Sequence, residues 1–326
     1  MPLLETQVMR EKWGSSRVFL MQRRGWCYLK QICTIPMILR KQFEGVNMFF
    51  MWPPHCTMTP AALRVNVTCL LILPSHQPTS IQFKDTSEAA VAGVKSIAES
   101  CIRSGTVRRL IYTATVMAAS PMKDDAKCFA EAMDESCWTP LNLSDPHSSD
   151  QFVEDYVKSK TQSERELLRY DGVIEIVSIA LGLVGGSTIR SALPDSLRVL
   201  IAQATNDGTW YRVLRILEEV TGKVPVVHIE DACEAHIFCI SKQRSISGRF
   251  LCASDYVKTA DIAHHIKKSF PEIQIPEEFI EDTGREIAWG SSKLEEMGFK
   301  YKYDLKMILE DSINCARMAG EINSNT

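Results

Sequence analysis

From Val67 onward, short apolar runs alternate with stretches of helical periodicity, and this alternation restricts the chain more than any other feature. Cys69-Leu70-Leu71-Ile72-Leu73, stopped by Pro74, is a continuous apolar run of strand length, as a strand buried on both faces requires. Asp85-Thr86-Ser87-Glu88 then supplies helix-capping chemistry. Ala90, Val91, Val94, Ile97, Ala98, Cys101 and Ile102 follow at helical spacing, and Gly105 closes the stretch. Arg109-Leu110-Ile111-Tyr112-Thr113 reads as a second buried strand. Strand, helix, strand in this order is the parallel crossover unit.

The pattern repeats down the chain. After a long connection with Pro121, Pro140 and Pro146, it predicts a helix over 150–170 and a strand over 173–181 that is broken by Gly182, Gly185 and Gly186. Helices near 194–205 and 209–221, a strand over 226–229, a helix over 231–241, a strand over 249–253 and a helix over 259–270 follow. Strands alternating with helices of this length make an α/β fold with a mostly parallel sheet.

The first 66 residues do not join this scheme. They hold nine Lys or Arg against three Glu, a net +6, whereas the remainder carries 28 basic and 37 acidic residues, a net −9. They are expected to form an atypical basic segment: an unstructured extension, an organelle transit peptide or a gene-model artefact. The basic charge comes without interleaved aromatics or a recognisable module, so no nucleic-acid partner is expected. No apolar run approaches the roughly 20 residues that span a bilayer. Eleven cysteines without CxxC pairs suit free thiols in a reducing compartment, so a cytoplasmic protein is expected. No metal is expected either: His264 and His265 point to different faces of a helix, and Cys233, Cys239 and Cys252 lack zinc-ligand spacing.

The residues most able to carry chemistry are Tyr156 and Lys160. An i,i+4 spacing puts the phenol and the ammonium on one helix face. A nearby ammonium favours the phenolate and brings a tyrosine toward useful proton transfer. Such a pair is also common on solvated helices, so its context matters. Upstream, the strand at Thr113 runs on into Ala114-Thr115, which puts a hydroxyl at the carboxyl edge of a parallel sheet, where ligands of such folds bind. The glycines after Leu181 would let a planar ring approach the backbone.

Several segments in order share a resemblance. Val107-Arg108-Arg109-Leu110-Ile111-Tyr112-Thr113-Ala114-Thr115 is similar to a strand ending in Thr-Ser-Ser, and Met133-Asp134-Glu135-Ser136-Cys137-Trp138 to an Asp-Glu-x-x-Trp turn. Tyr156-Val157-Lys158-Ser159-Lys160 matches Tyr-x-x-Ser-Lys. The segment from Val227 to Phe238 is similar to His-Val-x-Asp-x-x-x-Ala-His-Ile, and Gly248-Arg249-Phe250-Leu251-Cys252 to Gly-Arg-Tyr-x-Cys. Over roughly residues 80–320 the chain thus resembles the plant dihydroflavonol 4-reductase and anthocyanidin reductase family of extended short-chain dehydrogenases/reductases.

The resemblance implies a Rossmann-like, doubly wound parallel sheet: a cofactor domain over 67–186 and a smaller substrate lobe over 187–320, from which strand 226–229 returns to the sheet. It implies NADPH as cofactor and a flavonoid-like small molecule as substrate. Tyr156 would be the general acid, with Lys160 lowering its pKa and holding the nicotinamide ribose, and Thr115 would stand in for the family's catalytic Ser. Thr113, Leu181, Leu183 and Val184 would complete the cofactor surface. His228 and His236 match family positions but suit structural hydrogen bonding. The family opens with a strand and a Thr-Gly-x-x-Gly-x-x-Gly turn that binds pyrophosphate. Gly14, Gly25 and Gly45 cannot build that turn, so the first β-α unit is expected to be absent or distorted. The alternative function is accordingly a cofactor-deficient member that serves as a scaffold or a relic.

Overall fold

The computed structural model describes residues 84–123, 128–141, 151–189 and 192–322, together with the backbone of Met48–Met51. The strand expected over 69–73 lies outside the described residues.

The helix after Asp85 forms as its sequence dictates. This helix, α1 (Thr86–Ser104), opens where the Asp85 carboxylate accepts the Glu88 amide at 2.8 Å and closes at Gly105, whose φ of 65° is left-handed. Strand β2 (Arg109–Thr115) comes next. It is flanked on one side by β1 (Met48–Met51), a contribution from the basic leader, and on the other by β4 (Glu175–Leu181), which pairs with β7 (Gly248–Cys252). All three pairings are parallel, in the order β1-β2-β4-β7. The expected start of β4 at Val173 gives way to a turn, with Val173 left 70% exposed.

Alternating residues of this sheet face opposite layers. Leu110, Tyr112, Ile176 and Ala180 pack with α1 and with α2 (Gln151–Leu168), whereas Ile111, Val177, Ile179 and Leu181 pack with α6 (Ile229–Ser241). Helices thus cover both faces, as an all-parallel sheet requires. A second sheet joins β5 (Leu183–Gly185) to β6 (Val224–His228) in parallel and β6 to β8 (Asp255–Val257) antiparallel. The long connection after β2 carries a 3₁₀ turn at Val116–Ala118 and a short strand, β3 (Ala132–Met133), paired with β9 (Ala288–Trp289).

The helix expected over 194–205 is two helices, α3 (Asp195–Leu200) and α4 (Ala202–Thr205), because Ile201 leaves helical geometry with ψ of 8°. Helix α5 (Gly208–Thr221) follows; α7 (Thr259–Ser269), α8 (Lys293–Glu296) and α9 (Leu305–Met318) complete the chain. Among the described residues no helix is long and apolar enough to cross a membrane.

Candidate active site

Register fixes the first relationship at the site. Thr115 is the last residue of β2, level with Leu181 on β4, which is itself level with Cys252 on β7. These three residues define the carboxyl edge of the main sheet. The side-chain oxygen of Thr115 also caps the following 3₁₀ turn, accepting from the Met117 amide at 3.3 Å.

Helix α2 crosses over this edge. Tyr156, half-buried, hydrogen-bonds through its phenol to the Thr115 side chain. One turn on, the Lys160 ammonium is buried, donates to the Thr113 carbonyl at 3.3 Å and lies 5.4 Å from the centre of the Tyr112 ring. Ser159 turns back and donates to the Tyr156 carbonyl at 2.9 Å, so its hydroxyl serves the helix. Burial pushes the Lys160 pKa down to about 7, against an opposing pull from the Glu164 charge. Burial also raises the Tyr156 pKa, with the Thr115 hydrogen bond acting the other way. The net direction is therefore opposite to that expected from the Tyr/Lys spacing, because desolvation outweighs any help from the ammonium. The phenol is kept protonated and ready to donate.

Thr113 serves two neighbours. Its carbonyl receives Lys160, and its hydroxyl meets His236 Nε2 at 2.9 Å. The other ring nitrogen, Nδ1, lies 2.7 Å from the Ala232 carbonyl and must carry the proton, so Thr113 donates to an unprotonated Nε2. Burial lowers the His236 pKa and keeps this tautomer neutral. His228 acts as the α6 N-cap, accepting the Glu230 amide at 3.2 Å on Nδ1.

The structure brings Thr113, Thr115, Tyr156, Lys160 and Leu181 to one edge. Leu183 and Val184 instead lead away into the second sheet, paired with Val226 and Val227, and Leu183 is buried in the core. The glycines near them do not leave room for a ring. A Cβ on Gly182 would lie 2.7 Å from the Pro225 carbonyl oxygen. One on Gly185 would meet a Leu200 methyl at 2.4 Å, and one on Gly186 would meet the His228 ring at 2.3 Å. Each hollow is filled by the protein itself, which allows close strand packing.

Two residues given no role by sequence reasoning organise this region. Glu164, fully buried one turn beyond Lys160, accepts from Ser178 Oγ at 2.5 Å and from Arg249 Nε at 2.9 Å and Nη2 at 3.1 Å. Arg249 places its remaining donors on the carbonyls of Glu135, Cys137 and Ala118, and its guanidinium lies 3.7 Å from the centre of the Trp138 ring. The Glu164 position carries a signal in the sequence, since it continues the i,i+4 row begun by Tyr156 and Lys160.

Beyond β7, the residues Ala253 to Tyr256, with Lys223 and Ile287 to Trp289, line an open pocket of about 330 Å³. Its aromatic walls, Tyr256 and Trp289, have ring centres 5.3 Å apart.

No family model matches the chain. It is 25% identical over 250 residues to an anthocyanidin reductase of Vitis vinifera, covering 76% of this chain and 72% of the relative. It is 27% identical over 257 residues to a dihydroflavonol 4-reductase of Callistephus chinensis, covering 76% and 67%. The chain is similar to members of the dihydroflavonol 4-reductase and anthocyanidin reductase family. The fold agrees: vestitone reductase from alfalfa superposes with a TM-score of 0.63 at 23% identity, covering 89% of this chain and 82% of that one.

Members of this reductase family are NAD(P)-dependent oxidoreductases. The described residues fit the ribose end of such a cofactor. Lys160 has three N–H donors, and among the described residues one carbonyl, that of Thr113, accepts from it. A buried ammonium so placed suits a pair of vicinal hydroxyls. At the pyrophosphate end the family's glycine turn has no counterpart in the sequence, so no residue is assigned there.

Proposed function

We propose that the chain is an NADPH-dependent reductase of a flavonoid-like substrate, a dihydroflavonol or an anthocyanidin, with Tyr156 as the proton donor. The observation that carries this reading is the hydrogen bond between Tyr156 and Thr115 at the carboxyl edge of the sheet, with the buried Lys160 one helical turn away. NADPH, when bound, supplies the hydride. For a carbonyl substrate, Thr115 orients the oxygen by hydrogen bonding while the Tyr156 proton passes to it. The phenolate left behind is stabilised by the Lys160 ammonium. Lys160 would also hold the ribose hydroxyls, with Thr113 fixing the ammonium through its carbonyl. Leu181 would lie along the nicotinamide.

The pocket past β7 supports a planar, multi-ring substrate. Cys252 lies two strands from Thr115, about 10 Å at the usual strand spacing, and Ala253 follows it at the same edge. A flat aromatic skeleton reaching from Tyr156 along this edge toward Ala253 would bring its far ring to the pocket.

The missing glycine turn favours a second reading, in which the chain retains the scaffold and not the cofactor affinity. Calorimetric titration with NADPH separates the two. Micromolar binding followed by NADPH oxidation with an anthocyanidin or a dihydroflavonol supports the reductase, whereas no heat and no turnover supports the cofactor-deficient member.

A further inference from the structure

Three side chains form a row along α2: the half-buried Tyr156 and the buried Lys160 and Glu164, each one turn from the next and turned toward the sheet. The first two meet the end of β2. The third lies near Tyr112 of β2, whose pKa its charge helps to raise. It is gripped by Arg249 through a two-point carboxylate–guanidinium pair and by Ser178 from β4. Such forked geometry fixes orientation as well as distance.

We propose that Glu164, locked in place by Arg249, is the positioning residue of the site: it sets the register of α2 against the sheet edge and holds the Lys160 ammonium in its charged form. The inference rests on the reading that Lys160 serves the reaction. The groups around Lys160 are few. Tyr112 and the Thr113 carbonyl face it from β2, Tyr156 and Glu164 from its own helix, His236 stands neutral behind Thr113, and Arg249 stands behind Glu164. Glu164 is the one anion of this set. Burial opposes the Lys160 charge and Glu164 supports it, which the lowered Lys160 pKa reflects in both directions. Replacing the Glu164 carboxylate by an amide removes that support and leaves the Arg249 charge uncompensated nearby. Both changes disfavour a second cation.

The test reads Lys160 without turnover. The full-length protein is labelled with acetic anhydride across a pH series, and acetylation of Lys160 is measured by mass spectrometry against the exposed Lys306 as internal reference. In Glu164→Gln the pH midpoint of Lys160 labelling falls by about one unit, and labelling at about pH 6 relative to Lys306 rises about fivefold, while Glu164→Asp, which keeps the charge, stays near wild type. If Glu164→Gln does not fold, the double replacement Glu164→Leu with Arg249→Leu takes its place, since apolar substitution of a whole buried pair is commonly tolerated. There the midpoint falls less, because the Arg249 charge leaves together with the carboxylate. An unchanged midpoint in a folded variant, with only the melting temperature altered, makes Glu164 a structural staple and overturns the proposal. Since neither NADPH nor substrate is present, a chain that fails to reduce anything still gives a decisive labelling result.

Discussion

The Tyr156 phenol is hydrogen-bonded to the Thr115 side chain, which ties the second turn of α2 to the last residue of β2. This contact gives the proposed proton donor a fixed position at the sheet edge. Tyr156→Phe removes the proton and leaves the ring, so NADPH oxidation with substrate falls by about 10²- to 10⁴-fold while NADPH affinity is retained. Thr115→Ser keeps the hydroxyl and retains most activity, whereas Thr115→Val loses at least about tenfold. Steady-state rates and calorimetric affinities on the three variants check both statements. Equal loss in Thr115→Ser and Thr115→Val would assign the residue to packing.

Burial of Lys160 makes stability depend on pH. Its ordinary pKa of 10.5 falls to about 7 in the folded protein. Below about pH 7 both states carry the proton, and the folded state bears the full cost of a buried charge. Between about 7 and 10.5 the unfolded chain binds a proton that the folded chain does not, so the contribution of this group to stability rises with pH. The slope is about 1.4 kcal/mol per pH unit at its steepest. Lys160→Met removes this contribution. Urea unfolding from about pH 6.5 to about pH 9.5 is expected to show a flatter profile for the variant than for the wild type. Parallel profiles would mean that the ammonium is solvated.

Local chemistry was legible in the sequence and remote packing was not. Asp85 and Gly105 bound α1 where their residue types place them, and the Tyr156/Lys160 spacing does put both groups on the buried face of α2. These are properties of neighbours within one or two turns. The partner of Glu164 is 85 residues away, and the carbonyls that complete the Arg249 donor set are 112 to 131 residues away. No periodicity encodes such pairings. The glycines after Leu181 mislead for the same reason: a glycine admits a close neighbour, and only the fold says that the neighbours are Pro225, Leu200 and His228 rather than a ligand.

Gly182 provides a direct check of that packing. A Cβ there would sit 2.7 Å from the Pro225 carbonyl oxygen and 2.9 Å from its carbon, both backbone atoms that no rotamer change can move. Gly182→Ala must therefore push β6 away from the end of β4, at about 1–3 kcal/mol. The expected result is a lower urea midpoint with an unchanged slope, and reduced NADPH affinity if the Leu181 edge shifts with it. A neutral outcome would show that the two segments separate freely.

Arg109 tests the opposite end of the sheet. It opens β2, is fully buried, and reaches the Glu175 carboxylate at 2.7 Å through Nε and 2.6 Å through Nη2. Its remaining donors meet the carbonyls of Cys239 at 2.7 Å, Lys242 at 3.0 Å and Arg244 at 3.0 Å, which belong to the last turn of α6 and the segment leaving it. Helix ends leave such carbonyls without intrahelical partners, and here a guanidinium supplies them. Arg109→Leu strands the carbonyls and leaves the carboxylate only the more distant Arg108, 3.8 Å away, and is expected to cost about 3–5 kcal/mol. Arg109→Lys recovers little, because a single ammonium cannot serve acceptors spread around a planar fork. Adding Glu175→Leu to Arg109→Leu removes the uncompensated charge but leaves the three carbonyls unserved, so stability returns only in part. Urea unfolding of the three variants, with hydrogen exchange at the end of α6, measures each contribution. Full recovery in the double variant would mean that the carbonyl contacts add nothing beyond the ion pair.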